Sequence, residues 1–403
     1  MQLSDQEQVI ALLTLHLGND ATKEKLKPLN IKEWNEFVSW ILKNGIEIEQ
    51  LIDINNLEII LQNWTHAKIT TDRLYRLLSR GTQLGFLLNK WSGFGIYLLF
   101  KFDNDYPKKI KEKLKNKRPP IFFACGSRKL LNSPSIAVIG SRNTSPENLA
   151  FSRKVGNLAA QNGFSIVSGV AKGVDEEAML GALENDGTAI GFIADSFTNK
   201  ITSSKYRRHI RKKNLLILSV VNPDASFNVG NAMQRNKYIY CFSEKALVVD
   251  STYNKGGTWS GAIENLREKW TNCYVLSGGG KCKGNEELEK KGATPINSHN
   301  LEEQLFDNDV ASETEKYEEI PFEEIKQSEL FETSQNETQD NVFDSFIRRL
   351  SELTKNKAKS RKTLYKEMGL KTNEFDELIK EGIKKGLVEK SSKPILYKNI
   401  VQE

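Results

Sequence analysis

Residues 136–146, IAVIGSRNTSP, decide the fold, because an apolar run ends there in a glycine turn that leads into a helical stretch. The uninterrupted apolar run from Ile136 to Ile139 is typical of a strand buried on both faces of a sheet. Ser145 is a favoured N-cap, and Pro146 is a favoured first residue of a helix. The segment therefore predicts a strand, a turn and a helix in succession.

The same succession occurs three more times. Apolar runs lead into glycine turns and helix-like stretches at 165–183 (SIVSGVAKGVDEEAMLGAL), 246–266 (ALVVDSTYNKGGTWSGAIENL) and 274–293 (YVLSGGGKCKGNEELEKKGA). Asp175 is predicted to cap the helix of the second repeat, where the helix dipole favours an acid. The alternation indicates an α/β protein with a doubly wound, mostly parallel sheet. All four turns then lie at the carboxyl edge of that sheet, where helix N-termini favour phosphate groups.

The charge of the chain is unevenly distributed. Its 403 residues include 58 Lys and Arg against 52 Asp and Glu, a net charge of +6. Residues 307–340 hold twelve acidic residues against Lys316 and Lys326, a local charge of about −10. Subtraction, +6 − (−10), leaves roughly +16 on the rest of the chain. A body this basic favours a polyanionic partner through counterion release, with solubility alone as the alternative explanation.

Cysteine usage and hydropathy give the expected location. The four cysteines form no CxxC pair and have no nearby histidine at zinc-ligand spacing, so we expect no metal site and a reducing compartment. The amino terminus carries acids where a signal peptide carries basic charge. The longest apolar stretch, near Gly93 to Phe100, is too short to span a bilayer. The prediction is a cytoplasmic protein without membrane association.

Composition divides the chain into four segments. Residues 1–100 predict a small helical domain of the SAM-like or helix-hairpin-helix-like kind, with Ser4 capping its first helix. Residues 101–306 predict the α/β domain, and the acidic residues 307–341 predict a flexible linker. Three helical stretches and a hairpin in residues 342–403 predict a winged-helix-like domain, whose third helix contacts either DNA or another protein.

Polar and cationic residues follow several of the predicted strands, so the fold brings them to one edge of the sheet. Cations beside glycine turns neutralise phosphate, and an asparagine orients loops or reads a base edge. For any single residue a salt bridge or a solvated side chain is the alternative, and only the shared position favours a site. The candidate nucleic-acid-binding residues are Ser141, Arg142, Gly169, Lys172, Gly173, Arg235, Asn236, Lys237, Lys255, Gly256, Gly257 and Thr258.

A second basic feature lies between the strands predicted near 188–194 and 215–221. Its cations recur at helical spacing over more than one face, so some of them project outward. They form either a solvated helix face or a surface that tracks a nucleic-acid strand beside the glycine turns. The residues are Lys205, Arg207, Arg208, Arg211 and Lys212.

Common catalytic and cofactor motifs are missing from the sequence. Gly140 is followed by Ser141 and Arg142 rather than by the second glycine of a dinucleotide fingerprint, which argues against NAD or FAD. The sequence also lacks a Walker A motif, a G-x-S-x-G elbow and an HExxH motif, and its four histidines lie far apart. We therefore expect no catalytic residue and no cofactor, and a binding protein rather than an enzyme.

The ordered motifs resemble the DNA-processing protein A (DprA/Smf) family from about Trp91 to Ala293. The motifs are YP (106–107), GSR (140–142), SGVAKGVDEEAMLGAL (168–183), RNKYI (235–239), GGTWSGA (256–262) and GN followed by GA (284–293). The resemblance implies an extended Rossmann-like domain that binds single-stranded DNA without sequence preference and forms a homodimer. It also implies strand protection and loading of a RecA-type recombinase during natural transformation or recombination. By the same resemblance, the phosphate pocket is lined by Ser141, Arg142, Gly169, Lys172, Arg235, Asn236 and Lys237.

Two positions depart from the family pattern. The family commonly has histidine where this chain has Met179, and Phe-Pro ahead of the Arg-Asn pair where this chain has Ala-Met-Gln (232–234). Stacking of an aromatic ring on a base is therefore weaker in this chain, or it comes from another residue such as Phe227 or Tyr238.

Two other functions stay open at this point. The KGGTW turn (255–259) also resembles nucleotide-binding relatives of the fold, and Glu264 supplies an acid near the site. The alternative to a DNA binder is therefore a sensor or hydrolase of nucleotide derivatives, acting in phage defence. A structural adaptor with a degenerate pocket is the third hypothesis.

Overall fold

The computed structural model describes residues 1–18, 26–226, 228–278, 282–306, 342–355, 357–368, 370, 372–391 and 396–399. The chain divides into two compact units. One unit contains residues 1–79 and 87–306, and the other contains residues 80–86 and 307–403. Phe227 and the predicted acidic linker, 307–341, lie outside the described residues.

The chain begins with a group of short helices. Ser4 caps the first helix as predicted: its hydroxyl accepts a hydrogen bond from the Glu7 amide at 3.3 Å, and its own amide donates to the Glu7 carboxylate at 2.8 Å. Arg73 donates to both carboxylate oxygens of Glu33 at 3.0 Å, which lowers the pKa of Glu33. The helices are α1 (Asp5–Thr14), α2 (Ile31–Lys43), α3 (Leu57–Ile60), α4 (Thr71–Leu78) and α5 (Gly81–Gly93), with a 3-10 helix at Ile48–Ile52.

A nine-stranded sheet lies at the centre of the first unit, counted over the described residues. Its strands are β1 (Tyr97–Phe100), β2 (Ile121–Gly126), β3 (Ser135–Gly140), β4 (Ser165–Ser168), β5 (Ala189–Phe192), β6 (Leu215–Ser219), β7 (Lys245–Asp250), β8 (Asn272–Leu276) and β9 (Thr294–Ile296). They lie in the order β1-β2-β6-β5-β4-β3-β7-β8-β9. Strands β3 to β9 are parallel, whereas β1 and β2 pair in antiparallel fashion at one side. The predicted α/β class, with an extended, mostly parallel Rossmann-like sheet, is confirmed.

The sheet begins earlier in the chain than the sequence predicts. β1 is a strand of four residues that pairs with β2, with Phe100 opposite Ile121. The predicted boundary between residues 100 and 101 therefore follows the first strand instead of preceding it. So short an apolar run has no clear period, and the sequence alone does not separate it from the helix before it.

The strand order reverses beside β3. From β3 the chain proceeds to one side through β4, β5 and β6, and it then crosses to β7 on the other side of β3. Open α/β sheets bind their ligands outside the carboxyl ends of the strands at such a switch point. The turns after β3, β4 and β7 are therefore the ones that this topology brings together.

Helices connect the parallel strands. Ser145 caps the helix after β3 as predicted, accepting from the Asn148 amide at 3.3 Å. Gly173, and not Asp175, is the N-cap of the helix after β4, because the Asp175 carboxylate is buried against the ends of two strands instead. The helices are α6 (Lys108–Leu114), α7 (Pro146–Gln161), α8 (Val174–Leu183), α9 (Phe197–Thr202), α10 (Ser204–Arg211), α11 (Val229–Phe242), α12 (Gly256–Glu268), α13 (Lys283–Lys290) and α14 (Leu301–Phe306), with 3-10 turns at Lys115–Lys117 and Arg128–Asn132.

The main core of this unit contains aromatic rings from the sheet and from α11. Tyr238 is only 2% exposed, and its ring centroid lies 5.4 Å from that of Phe122 and 6.2 Å from that of Phe192. Such burial removes the Tyr238 ring from any exposed surface. The suggestion that Tyr238 stacks on a base is therefore wrong.

The second unit contains three helices and three short strands among its described residues after 341. They are α15 (Val342–Thr354), β10 (Lys359–Ser360), α16 (Arg361–Glu367), α17 (Thr372–Lys384), β11 (Val388–Lys390) and β12 (Leu396–Asn399), with sheet order β10-β12-β11. Phe346, Phe375 and Tyr397 share its core. The elements follow the order predicted from the sequence, and the winged-helix assignment and its DNA contact stay predictions.

Membrane-spanning helices were sought over the part of the chain that the structure describes. None of the helices there combines the length and the apolar character that crossing a bilayer requires.

The Ser145 cap gives a test of this fold. We expect Ser145→Ala to destabilise the first unit by about 1 kcal/mol, because the amide of Asn148 loses its acceptor. Ser145→Asp keeps an acceptor at the same helix start and should be close to wild type. Urea unfolding midpoints of the three proteins measure the difference, and equal midpoints for Ala and Asp would contradict the capping role.

Candidate nucleic-acid-binding site

Arg235 and Asp175 form the buried floor of the switch point. Arg235 lies in the middle of α11 and is 9% exposed, and Asp175 is 4% exposed. The Asp175 carboxylate accepts from the amide of Gly140 at 3.3 Å and from that of Gly169 at 3.1 Å. Burial raises the pKa of Asp175, against the opposing effect of Arg235, and burial lowers the pKa of Arg235. One carboxylate thus holds the ends of β3 and β4 beside one guanidinium group.

Gly169 is required by the close approach of Arg235. A Cβ atom at position 169 would overlap Nη1 of Arg235 and would lie 2.5 Å from Oδ2 of Asp175. Nε and Nη1 of Arg235 are buried and donate to no acceptor among the described residues. Since a buried donor is stabilised by an acceptor, these two groups are suited to an anion that enters the site.

The turns after β3, β4 and β7 close a ring of contacts around this floor. Thr258, in the first turn of α12, donates from its hydroxyl to the Gly140 carbonyl at 3.1 Å. Asn236 donates to the Gly257 carbonyl at 2.9 Å, which joins α11 to the start of α12. Gly173 lies against the backbone of Ser141 and Arg142. These contacts bring together the turns after β3 and β7, which are more than a hundred residues apart in the sequence.

Two helices begin at this ring without a side-chain cap among the described residues. Gly173 is the N-cap of α8, and Lys255 is the N-cap of α12. The helix α7 next to them does have a cap, Ser145. At the start of α8, the amides of Val174 and Glu176 already donate to the carbonyls of Ser141 and Ala171, at 3.4 and 3.0 Å. The start of α12 is therefore better suited to an anion, because amides without a cap favour negative groups and the helix dipole is positive there.

Exposed cations surround the ring. Arg142 follows β3, Lys172 follows β4, and Lys255 follows β7, and all three side chains are exposed. Arg142 lies near enough to Arg235 for its charge to contribute to the lowered pKa of Arg235, after burial as the main cause. The predicted residues Ser141, Gly256, Gly257 and Thr258 belong to the same turns. These turns and cations together make up the candidate site at the switch point, which we call the cleft.

Lys237 does not share this cleft with its two neighbours. Residues two apart on a helix point in different directions, and Arg235 and Lys237 are so placed on α11. Burial lowers the pKa of Lys237, while Glu264 is the charge that acts most strongly in the opposite direction. The Arg-Asn-Lys triplet is therefore divided: Arg235 lies against Gly169, Asn236 contacts Gly257, and Lys237 lies near Glu264.

The second basic feature is α10 with the residue after it. Lys205 pairs with Glu176, in the first turn of α8, at 2.9 Å, and Arg208 lies 4.0 Å from Glu184, beyond the last turn of α8. The helix thus runs along α8 from the carboxyl edge of the sheet towards the amino edge. Arg207, Arg211 and Lys212 are exposed. Because Lys205 and Arg208 already have carboxylate partners, the structure favours a partly neutralised helix face over a strand-tracking surface.

The two departures from the family pattern occupy different environments. Met179 is fully buried in α8, so it belongs to the packing of that helix and not to an exposed surface. In the 232–234 segment, Met233 is 46% exposed on the first half of α11. Sequence spacing does not indicate that Asp175 lies near Arg235, since a helix-capping role accounts for an acid after a glycine turn equally well.

The doubly wound, mostly parallel sheet, with glycine turns and cations at its switch point, defines an α/β protein with a Rossmann-like fold. The model of the family described as DNA recombination-mediator protein A matches residues 97–305, just over half of the chain. The chain belongs to that family. The matched range contains every strand of the nine-stranded sheet and every turn of the cleft.

Individual relatives agree with this family. The DNA processing protein DprA of Streptococcus pneumoniae is 28% identical over 202 residues, which cover 49% of this chain and 69% of that protein. Three further relatives match over only 39%, 52% and 41% of their own length.

Two solved structures align with this chain. The X-ray structure of DprA from Streptococcus pneumoniae aligns with a TM-score of 0.52 at 20% identity, over 76% of this chain and 99% of that one, and shows the shared fold. A Helicobacter pylori DNA processing protein A structure, described by its single-stranded DNA binding mode, aligns over 53% of this chain and 95% of that one with a TM-score of 0.44 at 25% identity.

Gly169 gives a direct test of the floor of the cleft. We expect Gly169→Ala to destabilise the protein by about 1 to 3 kcal/mol, because the new methyl group displaces the buried guanidinium group of Arg235. Gly93→Ala is the matched control, since a Cβ atom there meets nothing within 4 Å. Urea unfolding compares the two variants, and a Gly169→Ala midpoint equal to that of Gly93→Ala would contradict the close approach.

His209 predicts an acid sensitivity of α10. Its ring is buried, with Nε2 accepting from Nε of Arg208 at 2.9 Å, and burial followed by Arg208 lowers its pKa. The unfolded state therefore binds more protons than the folded state below about pH 6.5, and stability falls as the pH falls through that value. Unfolding midpoints at about pH 7.5 and about pH 5 should differ less for His209→Gln than for wild type.

His299→Gln is the control for this measurement. His299 is exposed, so its replacement should leave the wild-type pH dependence in place. An acid response that is unchanged in His209→Gln would show that another group is responsible for it.

Proposed function

We propose that this protein binds single-stranded DNA through its sugar–phosphate backbone, without catalysing a covalent reaction. The observation that carries the proposal is the closed ring at the switch point, where exposed Arg142, Lys172 and Lys255 belong to the turns that meet near the uncapped start of α12. Successive phosphates match a row of such cations and amides. Membership of the DNA recombination-mediator protein A family gives independent support for DNA as the polyanion.

Binding without sequence preference follows from the same geometry. The cations and helix amides of the cleft recognise phosphate, which carries no sequence information. Asn236 is the side chain in the ring best suited to reading a base edge, but its amide nitrogen donates to the Gly257 carbonyl. Its role in the proposal is therefore to hold α11 and α12 together, and the protein accepts strands of any sequence.

The wider cellular role rests on the family resemblance. We propose that the protein protects single-stranded DNA and passes it to a RecA-type recombinase during DNA uptake or recombination, as a homodimer in the cytoplasm. Strand protection needs a protein that covers the backbone, which a cleft of the kind described supplies. Nuclease digestion of a labelled strand, with and without the protein, tests the protective role.

Arg142 and Lys172 provide the main test of DNA binding. We expect Arg142→Ala or Lys172→Ala to weaken binding to oligo-dT and to reduce the slope of log affinity against log salt by about 0.7 for each lost phosphate contact. Fluorescence anisotropy at several salt concentrations measures both quantities. Unchanged affinity in both variants would remove the cleft from the proposed function.

Lys129→Ala is the matched control for this series. Lys129 is exposed in the 3-10 turn between β2 and β3, which leads into the amino end of β3 and not into the cleft. Its loss changes the net charge of the protein by the same amount as the loss of Lys172. A Lys129→Ala variant that loses as much affinity as Lys172→Ala would point to general electrostatic attraction instead of a cleft.

A nucleotide panel separates this proposal from a sensor or hydrolase of nucleotide derivatives. Thermal shifts and product analysis with mononucleotides, dinucleotides and cyclic nucleotides should show no binding and no turnover at concentrations where oligo-dT binds. Tight binding or turnover of one nucleotide, without oligo-dT binding, would reverse the choice.

A further inference from the structure

We propose that Tyr253 is the base-stacking residue of the cleft, so that the protein grips unpaired bases as well as phosphates. This inference rests on the proposed function, since it adds a second type of contact to the same DNA strand. Tyr253 follows β7 in the turn that leads to α12, and its side chain is 43% exposed. Among the described residues of the turns that form the ring, it is the aromatic one.

The turn presents the ring of Tyr253 at its tip. The amide of Lys255 donates to the Thr252 carbonyl at 3.1 Å and closes the turn. The base of the turn is fixed on the other side, where the Ser251 hydroxyl donates to the side chain of Asn285 at 2.8 Å. A turn anchored at both ends holds its side chain in place at little further entropic cost on binding.

The surroundings of the ring leave it suited to a base. Trp259, from the first turn of α12, forms a T-shaped pair with Tyr253, with the centroids 5.2 Å apart and the planes at 79°. Nζ of Lys283 lies over one face of the same ring, 5.4 Å from its centroid, so a base stacks on the opposite face. Trp259 is 7% exposed, so it packs against the tyrosine from the protein side and does not itself offer a ring to a base. An exposed aromatic ring beside lysines matches an unpaired base beside its phosphate.

Tyr253 belongs to the turn that leads into two of the contacts of the ring. Gly257, whose carbonyl accepts from Asn236, is four positions after Tyr253, and Thr258, which donates to the Gly140 carbonyl, is five positions after it. A strand whose phosphates contact Lys255 therefore has its bases within reach of Tyr253. Bases in a duplex are paired and stacked on one another, so this contact favours single strands over double strands.

The test compares two ligands with the same phosphates, namely oligo-dT and an abasic oligodeoxynucleotide of equal length. We expect Tyr253→Ala to weaken oligo-dT binding about tenfold, the fold-change that corresponds to about 1.4 kcal/mol of lost stacking. Binding of the abasic strand should not change, and neither should the salt slope for oligo-dT, because no phosphate contact is removed. Tyr253→Phe keeps the ring and should bind both ligands as wild type does.

Tyr75→Ala is the matched control, because Tyr75 is 44% exposed on α4, outside the turns of the ring. Wild-type affinity of Tyr253→Ala for oligo-dT would overturn the inference while leaving the cleft in place. Equal losses for both ligands would also overturn it, since they would show that the substitution disturbs the phosphate contacts. Failure of the wild-type protein to bind either ligand would instead remove the proposed function itself.

Discussion

The arrangement of the cleft depends on one buried carboxylate. Asp175 accepts amides from the ends of β3 and β4 and lies beside the guanidinium group of Arg235 from α11. Three separate parts of the chain thus meet at one charged group that is removed from water. Its two hydrogen bonds fix the ends of β3 and β4 relative to each other, because a buried amide left without an acceptor costs about 1 to 3 kcal/mol.

Charge is used differently on the two basic surfaces of the first unit. Around the cleft, Lys172 and Lys255 are exposed on the turns that lead into α8 and α12. On α10, by contrast, Lys205 and Arg208 face carboxylates of α8. Exposed ion pairs contribute little to stability, but they reduce the local potential that attracts a polyanion. The net charge of a chain consequently says less about its binding surface than the distribution of carboxylate partners does.

Much of the fold could be predicted from the sequence because its cues are local. The apolar run before Gly140 and the Ser145 cap each depend on neighbouring residues, and both occur where predicted. The edge strand at 97–100 and the division of Arg235 from Lys237 depend on distant partners, β2 and Glu264. Sequence spacing indicates which residues follow a strand, but it does not determine which face of a crossing helix each residue occupies. The shared location of the turns was predictable, whereas the individual contacts were not.

The uncapped start of α12 connects the stability of the protein with its capacity to hold a ligand. Lys255 has the extended backbone of an ordinary N-cap residue, a conformation in which serine or aspartate would satisfy the helix amides. Such a residue would strengthen the helix and, at the same time, occupy the donors that a phosphate needs. With Lys255 at this position, the start of α12 is less stable than it would be with serine or aspartate there. At this edge of the sheet, the same few N–H groups can either stabilise the helix through a cap or bind a ligand.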